Sequence, residues 1–199
     1  MLFLAIDFGL RLVFSCNPPP PEEINFNYNK IDVVGVDNSG QYLNANNAVD
    51  TMYADAVALK LTLSDTTFYP SAYSQNILQE LFSFQSAYAT SVARNFIPLE
   101  KVESIQIKTL MDINNDIKAG DDITNHFLYA SADNTSGLYQ DLGQGIEQLN
   151  SIQSDTKSDI VLILNKTVEN TNARFEVKLT LDNGTILSCT TELFTIIEP

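Results

Sequence analysis

Tryptophan is absent from this 199-residue chain, histidine occurs once and cysteine only twice. A zinc site needs three or four His, Cys or carboxylate ligands, and beside His126 only Cys189 is left as a soft partner. A catalytic Cys–His couple meets the same shortage, because Cys189 shares a strand face with Leu187 and Leu193 and so reads as a core residue. No G-x-S-x-G elbow is present. Gly143-Gln144-Gly145 lacks a preceding strand and a third glycine, so it does not read as a nucleotide loop. No cofactor is implied by any of these patterns. Basic residues number 11 against 25 acidic ones, a formal net charge of −14. Nucleic acid is therefore a poor partner, since phosphate binding needs clustered Lys and Arg. Anionic lipid headgroups also repel such a chain, so membrane contact requires a covalent anchor. No apolar run reaches the ~20 residues that spanning a bilayer requires.

What is present begins with "LVFSCNPPPPEE", residues 12–23. Val13-Phe14-Ser15-Cys16 resembles a bacterial lipobox, with an apolar residue at −3 and a small one before cysteine. That resemblance implies a signal peptide over residues 1–15, although Asp7 and Arg11 fall inside it, and lipidation of Cys16. Acyl chains make such an anchor stable, each buried methylene adding ~0.8 kcal/mol. Residues 16–23 then form a stiff tether, because consecutive prolines favour the polyproline II conformation. Residues 24–199 make up a single domain, and 44% hydrophobic composition suffices for its core.

Within that domain the period is mainly two. Ile24, Phe26 and Tyr28 alternate with polar residues, and the apolar face then switches to Ile31 and Val33, which predicts a bulge near Asn29-Lys30. Val57, Leu59, Leu61 and Leu63 predict a half-buried strand, as do Ile105 and Ile107 within Val102–Leu110. The continuous run Ile160–Leu164 predicts a central strand covered on both faces. Phe175, Val177, Leu179 and Leu181 alternate with Arg174, Glu176, Lys178 and Thr180, then Asp182-Asn183-Gly184 supplies a turn. A second strand follows to about Ile197. A three-residue loop pairs Leu179 with Leu187 and Val177 with Cys189, keeping one face apolar, and it places Gly184 in the left-handed bulge position. Ile77–Tyr88 fits a helix or a strand. Leu138, Leu142, Ile146, Leu149 and Ile152 follow helical spacing, against a cost of ~1 kcal/mol each for Gly143 and Gly145. Asp121 or Asp122 caps a short helix carrying Ile123 and Phe127. The expectation is a mainly β protein: a single β-sandwich, immunoglobulin-like or related, with one or two short helices.

"SAYATSV", "VESIQIKTLMDIN" and "AGDDITNHF", together with the lipobox, resemble segments of a Bacteroides-type lipoprotein family of unknown function. The resemblance implies an outer-membrane lipoprotein, lipid-anchored and facing either the cell surface or the periplasm. It assigns no chemistry. Proteins exported by such bacteria carry O-glycans at Asp-Ser/Thr motifs, which Asp50-Thr51-Met52 and Asp65-Thr66-Thr67 resemble, marking Thr51 and Thr66. Asn134, Asn165 and Asn183 open N-glycosylation sequons that are expected bare, with Asn183 serving its turn.

"DINNDIKAGDD", residues 112–122, is the sharpest polar constellation. Asp112, Asn114 and Asp116 alternate as oxygen ligands do around calcium, and Asp121 and Asp122 can add to the cage. The sixth and twelfth positions of an EF-hand loop are occupied by Ile117 and Ile123, and a solvated acidic turn is the simpler expectation. Glycosidase chemistry needs only two carboxylates at a fixed separation, for which 25 acidic residues leave ample material. Tyr69, Tyr73, Tyr88 and Tyr139 lie in or near loops, where exposed tyrosines suit glycan or protein recognition, though most are expected to cover the core rim. The favoured function is a lipid-anchored envelope component that binds, or builds structure, without catalysis, its partner a glycan or an envelope protein. The alternatives are a small carboxylate-dependent glycan hydrolase and a calcium-stabilised carbohydrate- or protein-binding module.

Overall fold

Where apolar residues recur at every second position, the computed structural model forms strands that turn those residues inward. It describes residues 20–39, 44–67, 93–130, 139–166, 168 and 171–198. The leader, Cys16, the Ile77–Tyr88 stretch, Tyr69, Tyr73, the Asn134 sequon and Leu138 lie outside the described residues. In chain order the strands are β1 (Glu22–Phe26), β2 (Lys30–Asp37), β3 (Asn44–Ala48), β4 (Thr51–Tyr53), β5 (Val57–Ser64), β6 (Arg94–Pro98), β7 (Val102–Thr109), β8 (Phe127–Ala130) and β9 (Tyr139–Gln140). After helix α1 (Leu142–Leu149) come β10 (Lys157–Leu164), β11 (Thr171–Ala173), β12 (Phe175–Leu181), β13 (Ile186–Thr190) and β14 (Phe194–Ile197). The protein is a mainly β sandwich, and α1 is the one α-helix among the described residues.

The main layer is a six-stranded sheet in the order β3-β2-β5-β10-β8-β9, antiparallel throughout. Ile160–Leu164 on β10 is buried on both faces, as its unbroken apolar run requires. β5 is more enclosed than its alternation suggested. Val57, Ala58 and Leu59 are all buried, and only Lys60 and Thr62 are half-buried. The reason is a second apolar cluster on the outer face, where Ala58 lies in register between Val36 and Ile163. On the inner face the sheet meets a smaller one, β13-β12-β7, through Phe127 and Phe175, packed edge to face at 6.0 Å.

The carboxy-terminal hairpin pairs Leu179 with Leu187 and Val177 with Cys189, the register that burial of one face demands. Gly184 takes φ +83°, and the Gly184 N–H donates to the Leu181 carbonyl at 2.8 Å. The second strand stops at Thr190 instead of running on to Ile197. Buried Thr191 ends it: its hydroxyl accepts the Phe175 N–H at 3.0 Å, and its own N–H donates to the Phe175 carbonyl at 2.9 Å. The chain then enters a third sheet, β11-β14-β4. This break corrects the placement of Cys189 and Leu193. Leu193 is 51% exposed outside the strand, and Cys189 is only half-buried on an edge strand, packed against the core rather than within it.

The expected bulge at Asn29-Lys30 is instead a change of sheet. β1 starts at Glu22, inside the expected tether, and runs parallel to β6 in a two-stranded sheet, while β2 joins the main layer. Asp65 holds this bend, its carboxylate accepting the Asn27 N–H at 3.2 Å, the Asn29 side-chain amide at 2.9 Å and the Thr67 N–H at 2.8 Å. Asn29 Oδ1 accepts the Thr66 N–H at 2.9 Å in return. Between them, buried Tyr28 donates to the Leu149 carbonyl at 2.8 Å, and burial pushes its hydroxyl up to about 12.

Helix α1 starts at Asp141, whose carboxylate accepts the Gln144 N–H at 3.2 Å. Gly145 is there for close approach: a Cβ at this position would sit 3.2 Å from the Tyr129 ring. Ile152 lies beyond the helix and is 62% exposed. The helix expected after Asp121-Asp122 is a single 3₁₀ turn, Thr124–His126, and Phe127 already opens β8.

Gly35 on β2 allows a closer approach still. A Cβ there would lie 2.6 Å from the Phe194 ring and 2.9 Å from the Val49 carbonyl oxygen. Gly35→Ala is expected to destabilise the fold by roughly 1–3 kcal/mol, the cost of overpacking. Urea unfolding measures it, and a loss under about 0.5 kcal/mol means the backbone relaxes there.

Candidate functional site

The acidic loop after β7 spends its oxygens on itself. Asp112 accepts the Ala119 N–H at 2.9 Å and the Lys118 ammonium at 3.3 Å. Asn114 accepts the N–H groups of Asp116 at 2.9 Å and Ile117 at 2.8 Å. Asp121 accepts the Lys118 N–H at 2.7 Å. Asp122 accepts the Thr124 hydroxyl at 2.6 Å and the Gln106 amide at 2.7 Å. Ile113, Ile117 and Ile123, all buried, pin the loop to the core. The structure thus distributes Asp112, Asn114, Asp116, Asp121 and Asp122 along a self-bonded turn. Among the described residues no three His, Cys, Asp or Glu side chains gather to hold a metal.

These bonds set the acidity of two groups. The Ala119 N–H, followed by Lys118, holds the Asp112 carboxyl below the ordinary range. The Thr124 hydroxyl does the same for Asp122, helped by the Thr124 N–H, Gln106 and Lys108 and opposed by desolvation.

Asp122 also borders an open cleft of about 910 Å³. One wall is the outward face of β7, β12 and β13, where Ser104, Thr180 and Ile186 stand in one cross-strand row and Gln106 and Lys178 in the next. The other wall is the 3₁₀ turn, with Thr124 and Asn125, and the start of α1, with Asp141. Accessible apolar lining comes from exposed Ile186 and half-buried Leu128 and Leu142, with the buried Ile105 and Phe127 beneath them. Asp141 uses one oxygen to cap α1 and leaves the other uncommitted. Among the described residues, Ser104, Asn125 and Thr180 make no side-chain hydrogen bond, and Lys178 pairs with Glu176 at 3.0 Å.

Of the predicted site residues, only Asp122 lines this cleft. Thr51 is exposed on β4 and donates to Asp50 at 3.2 Å. Thr66 donates to Asn29 Oδ1 at 2.9 Å within the β1–β2 latch. Asn183 accepts the Thr185 N–H at 2.8 Å and does serve its turn. Tyr139 is 48% exposed on β9, whose two residues give Gly143-Gln144-Gly145 the short preceding strand that its sequence did not reveal, although the third glycine is still missing. Lysine and threonine of the hairpin's polar face, Lys178 and Thr180, were visible as alternation. Their convergence with Asn125 and Asp141 had no sequence signal.

No protein-family model and no curated protein matches this chain. Among solved structures, it is similar to one named BspA_C_WT at 8% identity and a TM-score of 0.27, over 84% of this chain and 50% of that one. It is also similar to the C-terminal domain of the Streptococcus pyogenes antigen I/II-family protein AspA, at 11% identity and a TM-score of 0.24, over 84% and 46% of the two chains. The chain therefore spans about half the length of these structures, and likeness at this level assigns no activity.

Asp112 and Asp122 have folded-state acidities stronger than the unfolded value of about 3.9. Their contribution to stability is therefore complete above that value and drains away as pH falls through the folded one. Asp112→Asn and Asp122→Asn are expected to unfold more easily at neutral pH and to converge with the unsubstituted protein in acid. Denaturant midpoints measured from about pH 7 down to about pH 2 test this, and parallel curves would sink it.

Proposed function

We propose that this chain is a non-catalytic binding component of a bacterial cell envelope, held by lipid on Cys16 and a proline tether, with the β7–β12–β13 cleft as its recognition surface. The observation that carries the reading is the set of polar groups the cleft holds toward a ligand, the Ser104 and Thr180 hydroxyls, the Asn125 amide and one Asp141 oxygen. A glycoside hydrolase of the usual kind needs one carboxyl kept protonated, with its pKa raised, beside one that is ionised. Asp122 is instead drawn further into the ionised range by Thr124. Asp141 is exposed, with one oxygen capping α1 and the other open to a ligand. An ionised Asp122 does not suit a proton donor, whereas the hydroxyl and amide groups around it are placed to bind. The lipobox-like Val13-Phe14-Ser15-Cys16 and the following prolines supply the tether. The domain's net negative charge, which repels anionic lipid, fits attachment through acyl chains alone.

Protease shaving of intact cells, comparing the native protein with Cys16→Ala, tests the tether. The native protein is expected in the membrane fraction and the variant in the soluble fraction. Digestion from outside places it on the cell surface, and protection until the outer membrane is broken places it facing the periplasm. Equal release of both forms into the soluble fraction overturns the lipid anchor.

A further inference from the structure

The cleft lining names a class of ligand, on the reading that it is the binding face. Its free groups are of mixed kind: the hydroxyls of Ser104 and Thr180 donate and accept, the Asn125 amide does both, Asp141 accepts and Lys178 donates. A ligand that satisfies all of them must itself both donate and accept around its periphery. The accessible lining between these groups is apolar, from exposed Ile186 and half-buried Leu128 and Leu142, so the same ligand must present C–H faces. Charge narrows the field further. Two carboxylates, Asp122 and Asp141, face a single ammonium, Lys178, which Glu176 already pairs, within a chain of net charge −14. Polyanions are repelled. The cleft is large, near the top of the ~300–1,000 Å³ range of small-molecule sites, and open to solvent along one side, which suits a segment of a chain rather than an enclosed small molecule.

We infer that the cleft between the β7–β12–β13 sheet and the start of α1 binds a neutral oligosaccharide, its hydroxyls read by Ser104, Asn125, Asp141 and Thr180 and its ring faces laid on Ile186 and Leu142. A peptide ligand is a poorer match, because nothing in the lining offers a deep apolar socket for an anchor side chain.

Saturation-transfer NMR with neutral linear trisaccharides of gluco, galacto and manno configuration, and with their uronic-acid counterparts, tests this on the folded domain. At least one neutral sugar is expected to bind with Kd between about 10 μM and 1 mM, and its uronic-acid counterpart at least about tenfold more weakly. Asn125→Ala and Thr180→Val are each expected to lower affinity about fivefold, the loss of one hydrogen bond, with Tm unchanged. Amide shifts on binding should cluster at Ser104–Gln106, Thr124–Leu128 and Lys178–Thr180. No binding of any neutral sugar at about 10 mM, tighter binding of the acidic sugars, or indifference to both substitutions overturns the inference. A protein partner mapped to the same cleft in the absence of sugar binding sinks the glycan assignment and leaves the binding reading standing. Release of new reducing ends sinks the non-catalytic reading instead.

Discussion

The pairing of β5 with β10 is the constraint on which the other layers depend. Leu59 faces Leu162 across the pair and Ala58 faces Ile163, so apolar side chains leave the two strands in both directions. Each fully buried Leu or Ile contributes about 1.5–3 kcal/mol, and only when both faces are covered. The inner face is met by β12, with Phe175 and Phe127 in edge-to-face contact. The outer face carries small and β-branched residues, Ala58, Ala130, Val36 and Val161, which close into a second cluster. Burial on that side ends where Lys60 reaches Asp159 at 2.9 Å, and polar residues continue from there. The shorter sheets are the pieces of chain left over once this central pair has been enclosed.

A sandwich with several small sheets must change direction often, and each change strands backbone groups that a longer ladder would have paired. Short polar side chains near each corner take them up. Asp65 and Asn29 do so where β1 gives way to β2, and the Thr191 hydroxyl does so where β13 gives way to β14. Asn150 repeats the device at the end of α1, accepting the Val102 N–H at 2.8 Å and donating to its carbonyl at 2.9 Å. The abundance of Asn and Asp is thus partly structural. A residue with a short acceptor stabilises a corner by satisfying a donor that would otherwise be buried or strained.

Legibility in the sequence followed the range of the interactions. The hairpin register could be read because alternation, turn chemistry and burial of one face act within a single stretch, Phe175–Thr190. The central strand Ile160–Leu164 was visible for the same reason. The parallel pairings of β1 with β6 and of β4 with β14 were not, since nothing local distinguishes a strand that pairs with a distant one. Gly145 read as a cost to α1 because the Tyr129 ring that needs its missing side chain comes from another element. The cleft failed to show for a related reason. Ser104, Asn125, Asp141 and Lys178 sit on four elements, and each alone is an ordinary polar surface residue.

The loop at residues 112–122 shows how alternating acidic residues can serve the backbone of a turn. A cation and a ring of backbone N–H groups make the same demand on a sequence, short side chains with oxygen acceptors at alternate positions of a tight turn. What separates the two outcomes is the count of positive partners available to those oxygens. Here the N–H groups of Asp116, Ile117, Lys118 and Ala119 and the ammonium of Lys118 supply them. Buried Ile113 and Ile117 alternate with the polar positions and draw the turn inward, so those N–H groups stay within reach. In an EF-hand loop the sixth position is glycine and the twelfth a glutamate. Here isoleucine stands at both, and the residues that fail the calcium pattern are the ones that anchor the turn to the core.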